Sequence, residues 1–199
     1  PETIILADGD FPSHPLALEW LRQCPYVVCC DGAANTYIRS GRMPEAIVGD
    51  GDSLLPDIKE RYASLIHSEA EQETNDLSKA FRFCLSQERK RITIMGATGK
   101  REDHTIGNVS LLADYMEQAE VSMMTDYGIF VPIREDSMFE SYIGQQISVF
   151  NMNSTALSAE GLAYPLSVFT NWWQGTLNEA LARHFIIRTE GKVLVFRVF

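Results

Sequence analysis

Short apolar runs alternate with amphipathic stretches through the first two thirds of the chain. Ile4 to Leu6 centre a first strand over residues 3–7, and residues 26–30 form a second that ends at Asp31. Ile47 and Val48 make a short third strand ending at Asp50. Residues 91–95 feed a glycine-rich turn, and residues 121–125 end at Asp126. Between them the 3.6-residue period predicts helices over 15–22, 33–40, from Asp76 onward, and over 105–117. In the third of these, Leu77, Ala80, Phe81, Cys84 and Leu85 share one face. Apolar strands separated by helices predict a mainly parallel sheet covered on both faces.

The pattern changes after about Arg134, where period-two segments replace helical ones. Residues 146–152, 155–160, 183–189 and 193–198 read as strands, and Glu190-Gly191-Lys192 reads as a hairpin turn. The expectation is an α/β domain over 1–135 followed by a smaller antiparallel β-domain over 136–199. Trp172 and Trp173 cannot both face one core if the backbone there is extended.

Composition narrows the partners. The 199 residues carry a formal net charge of −10, which disfavours a nucleic-acid backbone. A polyphosphate ligand would then need a cation and local Lys or Arg. No apolar segment is long enough for a membrane span. Cys24, Cys29, Cys30 and Cys84 show no metal-ligand spacing and read as reduced thiols of a cytoplasmic protein.

Candidate chemistry sits where the strands end. Asp50 and Asp52 flank Gly51, a pairing of hard oxygen donors that suits Mg2+ and equally suits a solvent-facing turn. Gly96, Thr98 and Gly99 lead into Lys100 and Arg101, a turn whose N–H groups and cations suit phosphate, although it lacks the Walker A order. Asp103 is either a helix N-cap or a functional acid. His104 and Asn108 lie on the same helix start. Residues 71–79 bring Gln72, Asp76 and Lys79 to another helix N-terminus, where acids also serve the dipole.

Four stretches together give the chain a family resemblance: residues 31–35, the Gly-Asp-Gly-Asp-Ser segment at 49–53, residues 72–79 and the block 96–108. Residues 164–166 and 175–178 extend it. The sequence resembles the bacterial-type thiamine pyrophosphokinase family. That resemblance implies a Rossmann-like α/β domain, a β-sandwich domain, and a homodimer with active sites between subunits. It implies a transferase of the kinase type, moving pyrophosphate from ATP to the hydroxyethyl oxygen of thiamine. By position, Asp50, Asp52 and Asp76 would gather Mg2+. Asp50, Asp52, Asp76, Arg101 and Asp103 would form the catalytic set. Asp31, Gln72, Lys79, Gly96, Thr98, Gly99, Lys100, His104 and Asn108 fall in its nucleotide segments. Tyr164, Leu177 and Asn178 fall where thiamine would lie. The chain departs from the pattern at Glu73, Asn75, Lys100 and Leu177, which stand where Asp, Thr, Gly and Ser are usual. Competing readings are a Mg2+-dependent phosphotransferase or nucleotide hydrolase with another acceptor, and a non-catalytic nucleotide sensor.

Overall fold

The computed structural model describes all of residues 1–199 and falls into two compact units. The first comprises Pro1–Leu111 and Gln118–Asp126, the second Leu112–Glu117 and Tyr127–Phe199.

The first unit is built on β1 (Thr3–Leu6), β2 (Val27–Cys30), β3 (Ala46–Val48), β4 (Ile66–His67), β5 (Arg91–Met95) and β6 (Glu120–Met124). Their spatial order is β6-β5-β1-β2-β3-β4, and every pairing is parallel. All four residues of β1 and of β2 are buried, as a sheet covered on both faces requires. The helices are α1 (Pro15–Gln23), α2 (Ala33–Arg39), α3 (Pro56–Arg61), α4 (Asp76–Ser86) and α5 (Glu102–Tyr115), whose last residues count with the second unit.

Local chemistry explains where these helices begin. In α4 the predicted stripe Leu77, Ala80, Phe81 and Cys84 is buried, and the Asn75 side chain caps the start by accepting from the Ser78 N–H at 2.9 Å. For α1, Pro15 sets the first turn, and Asp126 accepts from the Ser13 and His14 N–H groups at 2.9 and 2.8 Å. Helix α5 starts at Glu102, three residues before the expected Thr105. Asp103 is therefore inside its first turn rather than at the cap, where its charge suits the dipole.

The second unit is a sandwich, as expected. One antiparallel sheet has the order β11 (Asn178–Glu179), β9 (Gln146–Asn151), β13 (Val193–Val198), β7 (Gly128–Ile133). The other has β10 (Leu157–Glu160), β12 (His184–Thr189), β8 (Ser137–Glu140). Ile147, Val149, Val193 and Val195 of the first meet Phe139, Leu157, Phe185 and Ile187 of the second in one core. Phe139 and Phe185 stack with centroids 5.2 Å apart.

Two expectations change here. The antiparallel unit begins at Tyr127 rather than after residue 135, because β7 pairs with β13 from Gly128↔Val198 to Ile133↔Val193. A six-residue apolar run does not reveal which neighbour it will pair with, or in which direction. Residues 190–192 are not a hairpin turn: β12 pairs with β8 and β10, whereas β13 pairs with β7 and β9. The chain crosses there from one layer of the sandwich to the other, with Gly191 at φ +135° lying 2.8 Å or less, by its missing Cβ, from Asn153 and Ser154 backbone atoms. Trp172 and Trp173 occupy a 3-10 turn, so the extended-chain constraint does not apply, and both are exposed.

Candidate functional site

The parallel β1–β5 ladder continues past the strands into two loops. Beyond Leu6↔Met95, the Ala7 N–H donates to Met95 O at 2.8 Å, Gly9 to Gly96 O at 2.6 Å and Asp10 to Thr98 O at 2.8 Å. The glycine-rich turn is thereby fixed by its carbonyls. Gly99, at φ +97°, has no room for a side chain: a Cβ would stand 2.3 Å from Asp10 Oδ2. Asn108 closes the other side. Its Nδ2 donates to Ala97 O at 2.9 Å, and its Oδ1 accepts from Asn75 Nδ2 at 3.1 Å. Since Asn75 also caps α4, one pair of amides ties the turn to the helix that carries Asp76.

These elements enclose a cleft of about 390 Å³ at the carboxyl ends of the strands. Asp8, Asp76, Thr98, Lys100, Arg101, His104 and Asn108 are among the residues lining it. The cleft thus joins Asp76, from the segment 72–79, to residues of the block 96–108.

Asp31 and Asp50 adjoin it at the ends of β2 and β3. Asp31 is 5 % exposed, has a left-handed φ of +36°, and accepts from the Ser53 N–H at 3.2 Å. Burial pushes its carboxyl up to about 6, helped by the hydrogen bond and charge of Asp50 and by the charge of Asp76. Asp50 is held below the usual carboxylate range, chiefly by the Asp52 N–H, which donates to its Oδ1 at 2.9 Å. Asp76 is raised by burial, against the pull of Lys79 and with added repulsion from Asp50 and Asp8. Gly49 lets the acids crowd the backbone: a Cβ there would lie 3.0 Å from Asp31 Cβ and 3.2 Å from Asp76 Oδ2.

The three residues expected to gather Mg2+ are not drawn into a ready ligand set. No group of three or more His, Cys, Asp or Glu side chains stands close enough to hold an ion, and Asp52 faces solvent. The donor chemistry nonetheless fits a hard cation, because Asp31 and Asp76 converge on Gly49, where a Cβ would stand 3.0 Å from Asp31 Cβ and 3.2 Å from Asp76 Oδ2.

Other expected residues fall differently. Arg101 is turned onto Asp103 in a two-point pair of 2.6 and 3.1 Å, which holds Asp103 below the carboxylate range. Lys79 is nine-tenths buried and lies 3.9 Å from Asp76, but it lines a neighbouring hollow with His67 and Arg82. Gln72 is exposed on the loop before α4 and does not line the cleft. In the second unit, Asn178 is 4 % exposed and brackets the Tyr164 backbone, accepting from its N–H at 3.1 Å and donating to its carbonyl at 2.9 Å. The Tyr164 ring is left exposed, and Leu177 stands 82 % exposed at φ +65°.

Asp8 lines the cleft, and the motifs did not reveal it. Asp8 follows β1 as Asp31 follows β2, so the strand-end rule could have found it. The same rule misleads at Asp126, whose carboxylate is spent on Ser13 and His14.

Comparison with known proteins gives a consistent picture. The family description "Thiamin pyrophosphokinase, catalytic domain" matches residues 17–124, and "Thiamin pyrophosphokinase, substrate-binding domain" matches 128–196. Thiamine pyrophosphokinase 1 of Oryza sativa subsp. japonica is 30 % identical over 129 residues, covering 52 % of this chain and 49 % of that protein. Thiamine pyrophosphokinase of Bacillus subtilis is 34 % identical over 86 residues, covering 41 % and 40 %. The chain spans about half the length of the curated relatives it matches. Among solved structures, the Bacillus subtilis thiamine pyrophosphokinase superposes with a TM-score of 0.81 at 20 % identity, covering 98 % of each chain. The Candida albicans enzyme does so with 0.80 at 18 %, covering 100 % of this chain and 89 % of that one. Those two share the fold. With the catalytic-domain description matched across more than half its length, the chain belongs to the thiamin pyrophosphokinase family.

Proposed function

We propose that the protein transfers the pyrophosphoryl group of ATP to the hydroxyethyl oxygen of thiamine, giving thiamine diphosphate and AMP. The observation that carries this reading is the cleft itself, lined by a pinned glycine turn with Lys100 together with Asp8 and Asp76. Family membership supplies the reaction class.

Asp50, Asp52 and Asp76 would hold Mg2+, with Asp31 beside them. When bound, the ion neutralises phosphate oxygens and lowers the cost of charge on the leaving AMP. The chain's own residues bind and orient. The turn at 96–100 seats the phosphates against Lys100, and Arg101 leaves Asp103 to clamp them bidentately. In-line attack by the alcohol on the β-phosphorus releases a proton. The acceptor is one of two carboxylates: Asp76, which lines the cleft, or Asp103, which Arg101 frees as it turns to the phosphates.

Thiamine would lie against Tyr164 and Leu177. Asn178, with its amide committed to the Tyr164 backbone, shapes that loop rather than touching substrate. A homodimer with shared sites follows from the family resemblance, and light scattering of an active sample checks it: a fully active monomer overturns it. A reducing compartment such as the cytoplasm suits four free cysteines, three of them buried.

Leu177, exposed where Ser is usual, favours a second reading with a different alcohol acceptor. Incubation with ATP, Mg2+ and thiamine, resolved by chromatography, separates the two. Thiamine diphosphate with equimolar AMP supports the first. AMP only with another alcohol supports the second, and bound ATP with no AMP points to a sensor.

A further inference from the structure

Asp8 is tied to a cation of the glycine turn. Lys100 Nζ donates to the Asp8 carbonyl at 2.9 Å and stands 3.5 Å from Asp8 Oδ1. Asp8 Oδ2 lies over the end of β2, where a Cβ on Gly32 would come within 2.6 Å of it. Gly32 directly follows Asp31. One carboxylate therefore has an oxygen toward the phosphate-facing lysine and another toward the acids, and Asp8, Asp76 and Lys100 line the same cleft. The pair is half exposed, with side chains at 40 % and 57 %, so water competes with it and it exchanges readily.

We propose that Asp8 and Lys100 form an exchangeable ion pair through which the cleft favours a polyphosphate that carries its divalent cation over a bare one. In the free protein Asp8 cancels the charge of Lys100 and adds to the field that repels anions. When a cation-bound polyphosphate arrives, a phosphate oxygen takes Lys100, and the released Asp8 carboxylate faces the cation. A bare polyphosphate must also take Lys100 but leaves Asp8 uncompensated. Asp8 is thus a positioning residue whose effect depends on the metal. A merely structural tie would affect both ligand forms alike. The inference rests on the nucleotide reading of the cleft.

Calorimetry with the full chain tests it, titrating ATP with chelator and ATP with Mg2+. For Asp8→Asn, metal-free ATP binds about fivefold tighter and Mg2+-ATP about fivefold weaker, the size expected for one partly solvated charge. Lys100→Met weakens both forms, and in the Asp8→Asn/Lys100→Met pair the tightening of metal-free ATP is smaller than in Asp8→Asn alone. Asp8→Ser carries the same expectation should Asp8→Asn fail to fold. Equal shifts of both ligand forms in the Asp8 variants, or no shift in either, overturn the exchange while leaving the nucleotide reading intact. A folded wild-type protein that binds ATP in neither condition overturns the nucleotide reading itself.

Discussion

Of the four non-glycine residues in left-handed backbone, one from each unit makes the contrast: Asp31 in the first, 5 % exposed, and Leu177 in the second, 82 % exposed. Aspartate tolerates that conformation, and at Asp31 the strain accompanies a carboxyl forced toward Asp50 and the Ser53 N–H. Leucine tolerates it poorly, and Leu177 has no packing to compensate. In the first unit, buried parallel strands deliver charged groups to one edge, and the backbone is bent to crowd them. In the second, a buried amide holds a loop whose apolar side chains are left facing outward. The first region works by charge, the second by shape.

The largest effect should come from the charge. Asp50→Asn and Asp76→Asn are expected to cut turnover by at least about 100-fold, the scale of losing electrostatic stabilisation in a transfer reaction. The melting temperature should hardly change. Near-wild-type product formation at saturating Mg2+ would place the metal elsewhere.

Next is Asn178→Ala, which strips two hydrogen bonds from the Tyr164 backbone and should cost about 1–3 kcal/mol in a denaturant titration. If the loop serves thiamine, KM for thiamine rises while KM for ATP stays put. Equal rises in both would erase the distinction between the regions.

Asp31→Asn sharpens the contrast by its pH dependence. Its carboxyl is raised to about 6 in the folded protein against 3.8 when free, so ionising it opposes folding at neutral pH. As pH falls through about 6 the folded state takes up the proton first and that cost disappears, fully so below about 4. In metal-free buffer Asp31→Asn should therefore melt a few degrees higher than wild type at pH 7 and show no such advantage near pH 4. A gain that is the same at both pH values would rule out the charge as its cause.

The smallest change is Leu177→Gly. Relief of left-handed strain should stabilise by about 1 kcal/mol, with no pH dependence. Calorimetric melting checks this, and a loss of stability would mean that Leu177 packs on something in solution.

The sequence made the first unit readable because its strands are short buried runs that end in acids. Period and burial agree there, so α4 and its stripe, the 96–108 block and Asp76 all fall where the residues suggested. Three kinds of information were not local. Pairing direction is one: nothing within 128–133 or 190–192 says that β7 and β13 pair, or that the chain changes layers. Weak elements are another, since α3 and the two-residue β4 bury little apolar surface and show no period. The third is who meets whom. Asp8, Asp31 and Asp126 look alike after their strands, yet the first meets a lysine, the second another acid and the third a helix start.

The crossing at Glu190–Lys192 has a kinetic consequence. It delivers β13 between β7 and β9, so the middle strand of that sheet is synthesised after both of its partners. Until it arrives, β9 has only the two-residue β11 to pair with, and the apolar inner faces of β7 and β9 stay open. Such long-range pairing slows folding and lengthens the life of aggregation-prone forms. The first unit, whose strands all precede Tyr127, can be complete while the second still waits, and a nascent chain stalled before β13 would carry a formed cleft beside an unfolded sandwich.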